Sequence, residues 1–418
     1  MLGGLAAGGK RAAGDLSSLA TSFRPFRKSL ATLKSNALMQ FGFTDEQHQL
    51  RRTIREFAEA EIKPHVMEWD ESQEFPLGVF RQLGDMGVLG AVFPEDLGGS
   101  GYSYVDYAIA TEEIARVDPS IALSVAAHVS LCTNHIYTAG SEEQKQNYVP
   151  KLASGEWIGC WSLTEPEVGS DAGGARASGV REGDCWVLNG IKTFTTNAHI
   201  ADVCVAMAVT DRAASAHGIS AFIVHNGTPG FRFGKKENKL GMRCSPTGEV
   251  LFTDCRLPVS QLCGRQGEGF IDSLRILDGG RISIAALSVG VAQGAYEAAL
   301  RYSKQRKQFG RFISEFQAIQ HKLADMATDI EAARLLTLRA AWLKDSGATV
   351  NKESSMAKLF ASETAVRVAN EAVQIHGGYG FIKDYPVEKF YRDSKLCTIG
   401  EGTSEIQKIV ISREVLRG

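Results

Sequence analysis

Thr398-Ile399-Gly400-Glu401-Gly402-Thr403-Ser404-Glu405-Ile406-Gln407 places one carboxylate between two glycines just ahead of a helical pattern. With no side chain on either neighbour, Glu401 is open to close approach by another molecule's backbone or by a flat ring. Ser404 and Gln407 stand at capping-box spacing, which predicts a helix starting here and running through Ile409, Val410 and Val415. Backbone N–H groups at such a start favour oxyanions. Taken alone, the stretch also fits a glycine-rich loop entering a terminal helix with an incidental acid.

Upstream, helical periodicity runs back almost to Gly269 in long segments near 281–304, 315–346 and 351–376, which with 404–417 predict a four-helix bundle. Gln374-Ile375-His376-Gly377-Gly378-Tyr379-Gly380 is its one glycine-rich interruption. From about Ile158 to Gly269 the texture is short and β-rich. Asn189-Gly190, between Cys185–Leu188 and Ile191–Thr196, predicts a hairpin with a type I′ turn. Strands do not alternate with helices, which argues against a Rossmann-type nucleotide fold. The first third is helical. Thr44 with Gln47 predicts a capped helix whose face carries Leu50, Ile54, Phe57 and Ile62, and Pro64 is expected to end it. Further helices are expected at 77–87, 104–116 and 121–139, with Gly98-Gly99-Ser100-Gly101 read as a turn, because no lysine follows to make it a phosphate loop.

The 418 residues are 44% hydrophobic and 22% charged, with a formal net charge of −2, and no apolar run approaches a membrane span. No basic helix or aromatic-interleaved basic stripe points to nucleic acid. The eight cysteines form no C-x-x-C pair, and neither they nor the nine histidines show metal spacing, so a metal site is not expected. Residues 1–38 differ from the rest. They hold Lys10, Arg11, Arg24, Arg27, Lys28, Lys34 and five serines against the single acid Asp15, as in an organellar transit peptide. Mitochondrial matrix is the expected location, with a basic tail on a bacterial cytoplasmic protein as the alternative.

Helical unit, β unit and four-helix bundle in that order resemble the acyl-CoA dehydrogenase family, and five motifs agree. They are Trp161-Ser162-Leu163-Thr164-Glu165-Pro166 through Gly169-Ser170-Asp171, Lys192 to Asn197, Arg306 to Gly310, Gln374 to Gly378, and the Glu401 stretch. The resemblance implies an α+β, mostly helical acyl-CoA dehydrogenase fold. Its parts would be an N-terminal helical domain (41–157), a small middle β domain (158–270) and a C-terminal four-helix bundle (271–418), after the 1–38 segment.

It also implies FAD as cofactor, an acyl-CoA thioester as substrate, electron-transfer flavoprotein as acceptor, and a homotetramer built as a dimer of dimers. By the same resemblance Glu401 is the catalytic base. Trp161, Leu163, Thr164, Phe194 and Thr196 face the flavin, although Trp161 and Phe194 taken singly also read as core. Ser170 is shared between cofactor and pantetheine. Arg306, Phe309, Gln317, Gln374, Gly377 and Gly378 reach FAD across a subunit boundary, and Thr403 and Glu405 add cofactor contacts. Asp278 and Arg281 fall near the CoA moiety, although an arginine at a helix start is equally structural. Gly402 lets the acyl chain pass the main chain. Gly400, where many straight-chain members carry tyrosine, implies a cavity for a short or branched acyl group. The isovaleryl branch carries its acid at the Gly280 position, and this chain does not. Competing readings are an acyl-CoA oxidase, whose members commonly extend further at the C-terminus, and a non-catalytic assembly factor.

Overall fold

The computed structural model of the protein describes residues 42–417, so the reading of residues 1–38 as a transit segment lies outside it. The described chain opens with helix α1 (Asp45–Phe57), whose Thr44 N-cap and Gln47 form the expected reciprocal box. Pro64 does not end this helical run. A π turn at Ala58–Ile62 and a 3-10 turn at Lys63–His65 absorb the missing N–H, and α2 (Val66–Ser72) continues it. Helices α3 (Leu77–Asp85), α4 (Tyr104–Ala115), α5 (Pro119–Ala126), α6 (Asn134–Ala139) and α7 (Glu142–Ser154) follow, with α5 and α6 joined through a π segment at Ala127–Thr133.

Eight strands come next: β1 (Gly159–Ser162), β2 (Ser178–Glu182), β3 (Cys185–Thr196), β4 (Val203–Val209), β5 (Ile219–His225), β6 (Phe231–Lys236), β7 (Thr247–Pro258) and β8 (Leu262–Cys263). They order as β6-β7-β3-β2-β4-β5-β8, with β1 parallel to β4. β4 is buried throughout and β5 nearly so. Successive side chains serve different cores, as a two-residue period requires. Val203, Val205, Met207, Ile219, Ala221 and Ile223 join the helical core, while Cys204, Ala206, Ala208, Phe222 and Val224 fill a second core inside the β domain.

Asn189-Gly190 is not a hairpin turn. β3 runs straight through it and pairs with β7 along its length, with a register shift between Leu188 and Gly190, while the turn between β2 and β3 falls at Gly183-Asp184. Gly190 has φ +145°, and a Cβ there would overlap Ala177, so the glycine serves a bulge at a close approach.

The last third contains α8 (Gly269–Ser303), a short hairpin β9 (Lys307–Gln308) and β10 (Arg311–Phe312), α9 (Gln317–Asp345), α10 (Asn351–His376), α11 (Val387–Cys397) and α12 (Ser404–Arg417). α8 starts twelve residues before the expected 281. From Gly279 to Ala292 it is buried without a break, because α4, α9, α10 and α11 pack around it. Gly290 and Gly294 let the end of α4 come close: a Cβ at either position would overlap the carbonyl oxygen of Glu112 or Arg116.

One buried ion cluster ties the three parts together. Lys389 of α11 donates to Asp118, the N-cap of α5, at 2.9 Å and to Asp393 at 2.6 Å. Asp393 also accepts from the Met242 N–H of the segment between β6 and β7. All three side chains are essentially inaccessible. Replacing the lysine by methionine keeps the stem and leaves two buried carboxylates unpaired. Lys389→Met is therefore expected to destabilise the fold by about 3–5 kcal/mol, read as a lower urea midpoint. A loss under about 1 kcal/mol, the scale of a surface pair, would contradict the cluster's role.

Candidate active site

β1 and β3 end side by side. The Thr193 N–H donates to the Thr164 carbonyl at 2.9 Å, and Ser162 and Thr195 share a 2.7 Å hydroxyl contact. Lys192, fully buried, donates to the Leu163 carbonyl at 3.1 Å and to Glu165 at 2.7 Å. Glu165 also accepts from the Arg176 and Ala177 N–H groups, so one buried ion pair fixes the 163–177 loop on which Thr164 and Ser170 stand. Between Lys192 and Thr195 the β3 register shifts and Phe194 takes φ +54°, which turns its ring outward to 66% exposure. A phenylalanine at positive φ with its ring in solvent is an unfavourable arrangement on both counts. Thr196 is half-buried beyond it, and Ser170 is exposed. Trp161 donates its indole N–H to His135 Nδ1 at 3.1 Å. Burial pushes the His135 pKa down to about 4, so the imidazole is neutral.

Glu401 lies between the end of α11 and the start of α12. It has φ +52° and Gly402 has φ +94°, two successive left-handed residues, of which the non-glycine costs about 1–2 kcal/mol. Buried side chains hold the turn. Lys358 Nζ donates to the Gly402 carbonyl at 2.8 Å, and Gln407 Nε2 donates to the Gly402 and Glu401 carbonyls at 2.9 and 3.3 Å. The cap of α12 is thus one residue earlier than expected. Thr403 accepts from the Ile406 N–H at 3.4 Å, while Ser404 turns inward to Glu363 and Gln407 reaches the turn. Glu401 Oε2 is buried with no hydrogen-bond partner. A Cβ built at Gly280 would overlap that oxygen and would lie 3.1 Å from Leu131, so the bare face of α8 is the floor of the carboxylate's cavity. Burial pushes the Glu401 pKa up to about 7 against the opposing pull of Lys358 and Arg281. Leu131 joins the same small cluster as Ile276 and Trp161, which links the carboxylate to the β1 side.

Arg281 is not at a helix start. It sits well inside α8, buried, donating to Asp278 at 2.7 Å and to Asn351 at 2.9 Å, with Asp278 half-buried beside it. At Gly400 the nearest atoms to a Cβ would be those of Leu396, at 3.5–3.8 Å, so a methyl group meets ordinary van der Waals contact there.

Arg306, Gly377 and Gly378 gather with Tyr302, His376 and Tyr379 around a cleft of about 510 Å³ at the other end of the bundle. The Arg306 guanidinium lies 5.3 Å from the Tyr379 ring centre. Phe309 and Gly310, at φ +52° and +79°, form the two-residue turn between β9 and β10, and Phe309 is 94% exposed at its tip. Gln317 and Gln374 are exposed nearby in sequence, at the start of α9 and near the end of α10. No residue of β1 or β3 lines this cleft, so within one chain the two sets of expected cofactor contacts are separate. Thr403 is half-buried and Glu405 exposed on the first turn of α12.

The sequence does not single out Lys358 or His135, assigns Gln407 only a capping role, and carries Lys192 and Glu165 within motifs without pairing them. For Lys358 a signal was present. Its neighbours three and four positions away, Ser354, Ser355, Ala361 and Ser362, are all small and all buried, which marks a packed face rather than a solvated one.

The exposed Phe194 ring, Thr164 just past the end of β1 and Thr196 at the adjoining end of β3, and a buried unpartnered carboxylate oxygen together suit a flat ring system with hydrogen-bonding edges, as a flavin has. The residues present fit that group. Among the described residues no three His, Cys, Asp or Glu side chains converge as a metal site, and no helix is long and apolar enough to cross a membrane.

The sequence matches the family profiles for the acyl-CoA dehydrogenase N-terminal domain over residues 44–156, middle domain over 160–255 and C-terminal domain over 267–416. It is 46% identical over 379 residues to the short-chain specific acyl-CoA dehydrogenase of Clostridium acetobutylicum, covering 91% of this chain and all of that one. It is 45% identical over 403 residues to the mitochondrial short-chain specific enzyme of Homo sapiens, covering 96% and 98% of the two chains. Its fold superposes on butyryl-CoA dehydrogenase from Megasphaera elsdenii with a TM-score of 0.89 at 42% identity, over 91% of this chain and all of that one.

The geometry at Gly280 generates a structural prediction. Gly280→Ala is expected to expel the Glu401 carboxyl from its cavity, seen in a crystal structure of the variant as a changed Glu401 rotamer. An unmoved carboxyl beside the new methyl would contradict the packing described.

Proposed function

Since the chain belongs to the acyl-CoA dehydrogenase family, and is accordingly an FAD-dependent acyl-CoA dehydrogenase, we propose that Glu401 is the base of an α,β-dehydrogenation of short or branched acyl-CoA thioesters. The reading also takes electron-transfer flavoprotein as the electron acceptor. The observation that carries the assignment is the buried, unpartnered Oε2 of Glu401, on a carboxyl poised near pH 7 at the Gly280 face of α8.

An α-hydrogen of a thioester is a weak acid, and an ordinary carboxylate is too weak a base to remove it efficiently. Burial at the Glu401 carboxyl narrows that gap, because desolvation destabilises the anion and raises its basicity. The Glu401 N–H makes no hydrogen bond among the described residues, which leaves it free to donate to the thioester oxygen as charge develops there. Trp161, Leu163, Thr164, Ser170, Phe194 and Thr196, with Thr403 and Glu405, would hold FAD, which when bound would supply the acceptor for the β-hydrogen as hydride. Glu401 takes the α-proton, and the 2-enoyl thioester is left. Arg281, buried against Asp278, acts on the charge around the carboxyl, and in this reading Asp278 carries the contact toward CoA.

The second set of cofactor contacts lies across a subunit boundary in this reading. Phe309 at 94% exposure and Phe381 at 88% flank the Arg306–Gly378 cleft in sequence, and covering them by another protomer of a dimer of dimers removes both from water. The basic residues 1–38 support mitochondrial import, with the bacterial cytoplasm as the alternative, since bacterial and mitochondrial relatives are equally similar.

Glu401→Gln keeps the shape and removes the base. Expected is retention of FAD absorbance with kcat lowered by several orders of magnitude, and near-normal turnover would overturn the assignment. In the wild type kcat/KM should fall about tenfold per pH unit below about 7, as the carboxyl takes up a proton, and level off above it. Substrate shape is tested at Gly400. Gly400→Tyr should lower kcat/KM for isobutyryl- and 2-methylbutyryl-CoA more than for butyryl-CoA, by a factor set by about 1–3 kcal/mol of overpacking. Equal loss on all three, or rejection of both branched thioesters by the wild type, would contradict the wide cavity.

A further inference from the structure

Beneath the Glu401 turn lies a lysine that neither the family resemblance nor the reaction described above uses. Lys358 is fully buried on α10 among small side chains, and its Nζ finds one hydrogen-bond partner among the described residues, the Gly402 carbonyl at 2.8 Å. A buried ammonium with no carboxylate bonded to it is costly unless its charge is answered nearby. The charged and titratable groups around it are few. Arg281 approaches from α8, but Asp278 is bonded to it at 2.7 Å and offsets its charge. Glu363 of α10 accepts from Ser404 at 2.6 Å, Cys397 of α11 is a buried thiol, and Tyr107 of α4 is bonded to Ser130. The remaining acid is Glu401, whose Oε2 has no partner. Each group thus supplies the charge that the other lacks.

The backbone couples them as well. Gln407 and Lys358 hold the Glu401 and Gly402 carbonyls toward the interior, through a turn whose two residues both have positive φ. In a trans peptide the following N–H points away from its carbonyl. Fixing those two oxygens therefore directs the Gly402 and Thr403 N–H groups away from Lys358 and sets the direction in which the Glu401 side chain leaves the turn.

We propose that Lys358 is a positioning residue for the base: a buried ammonium that fixes the Glu401–Gly402 turn through the Gly402 carbonyl and supplies the positive charge against which the Glu401 carboxylate forms. The proposal rests on Glu401 being the base. Burial lowers the Lys358 pKa to about 8, and its charge pulls against the rise of the Glu401 pKa to about 7. Between those two values the carboxylate and the ammonium coexist, and the two groups titrate as a pair. Removing the positive charge makes the carboxylate harder to form, so the Glu401 titration moves to higher pH.

Two variants separate charge from backbone support. Lys358→Gln removes the charge and keeps a donor for the Gly402 carbonyl, whereas Lys358→Met removes both. The readouts, on FAD-loaded enzyme, are the acid limb of kcat/KM with butyryl-CoA and an infrared difference titration of the carboxyl band, with Glu401→Gln identifying the Glu401 signal. Expected in both variants is a shift of limb and band to higher pH by about one unit or more, with Lys358→Gln recovering more of the plateau rate than Lys358→Met. If Lys358→Met does not yield folded protein, the shift in Lys358→Gln decides. A limb and a band at the wild-type pH would overturn the proposal while an inactive Glu401→Gln upholds the base. Activity in Glu401→Gln would instead overturn the reading on which the proposal stands.

Discussion

Keeping one oxygen of a single carboxyl out of water without a hydrogen-bond partner is the constraint on which the rest of the structure depends. Such a group is stable only in a cavity shaped for it, and three distant stretches build that cavity: Gly280 on α8, Leu131 in the π segment before α6, and the turn at Glu401 itself. The turn requires left-handed backbone at a non-glycine residue, which only a surrounding framework can maintain. Lys358 and Gln407 are that framework, and both belong to long helices of the bundle rather than to the loop they hold. Local strain at the base is thus supported by regular structure away from it.

The same device recurs elsewhere. Lys192 with Glu165 fixes the loop after β1, and Lys389 with Asp118 and Asp393 locks α5, α11 and the segment between β6 and β7 together. In each case a buried lysine answers a carboxylate from a different part of the chain. Buried pairs of this kind add little net stability over apolar packing, but they tolerate few alternative arrangements. The β domain and the helices can then meet at Trp161, Leu131 and Ile276 in one register.

Much of this was legible in the sequence, and the failures have physical causes. The Thr44–Gln47 box is legible because a capping box is local, and Glu401 stands out because glycines flank it. Asn189-Gly190 misled because turn preference is also local, whereas pairing of β3 with the long β7 is not, and the distant partner prevailed. Pro64 misled in the opposite sense, since π and 3-10 turns let a helical run pass a proline. Gly279 and Gly280 resemble a helix terminus just ahead of Arg281, but they are the places where Tyr104 and Glu401 approach the interior of α8. Lys358 is hard to recognise from sequence because a lysine within a helix ordinarily lies in solvent, and only its small buried neighbours betray the exception.

The central claim is that Glu401 removes an α-proton, and proton transfer can be followed apart from oxidation. Acetyl-CoA has α-hydrogens and no β-hydrogen, so it can be deprotonated but not dehydrogenated. In D₂O the FAD-loaded enzyme is expected to wash deuterium into the acetyl methyl, detected by mass spectrometry, with a rate that rises through about pH 7 and vanishes in Glu401→Gln. Exchange at the wild-type rate in Glu401→Gln would contradict the account.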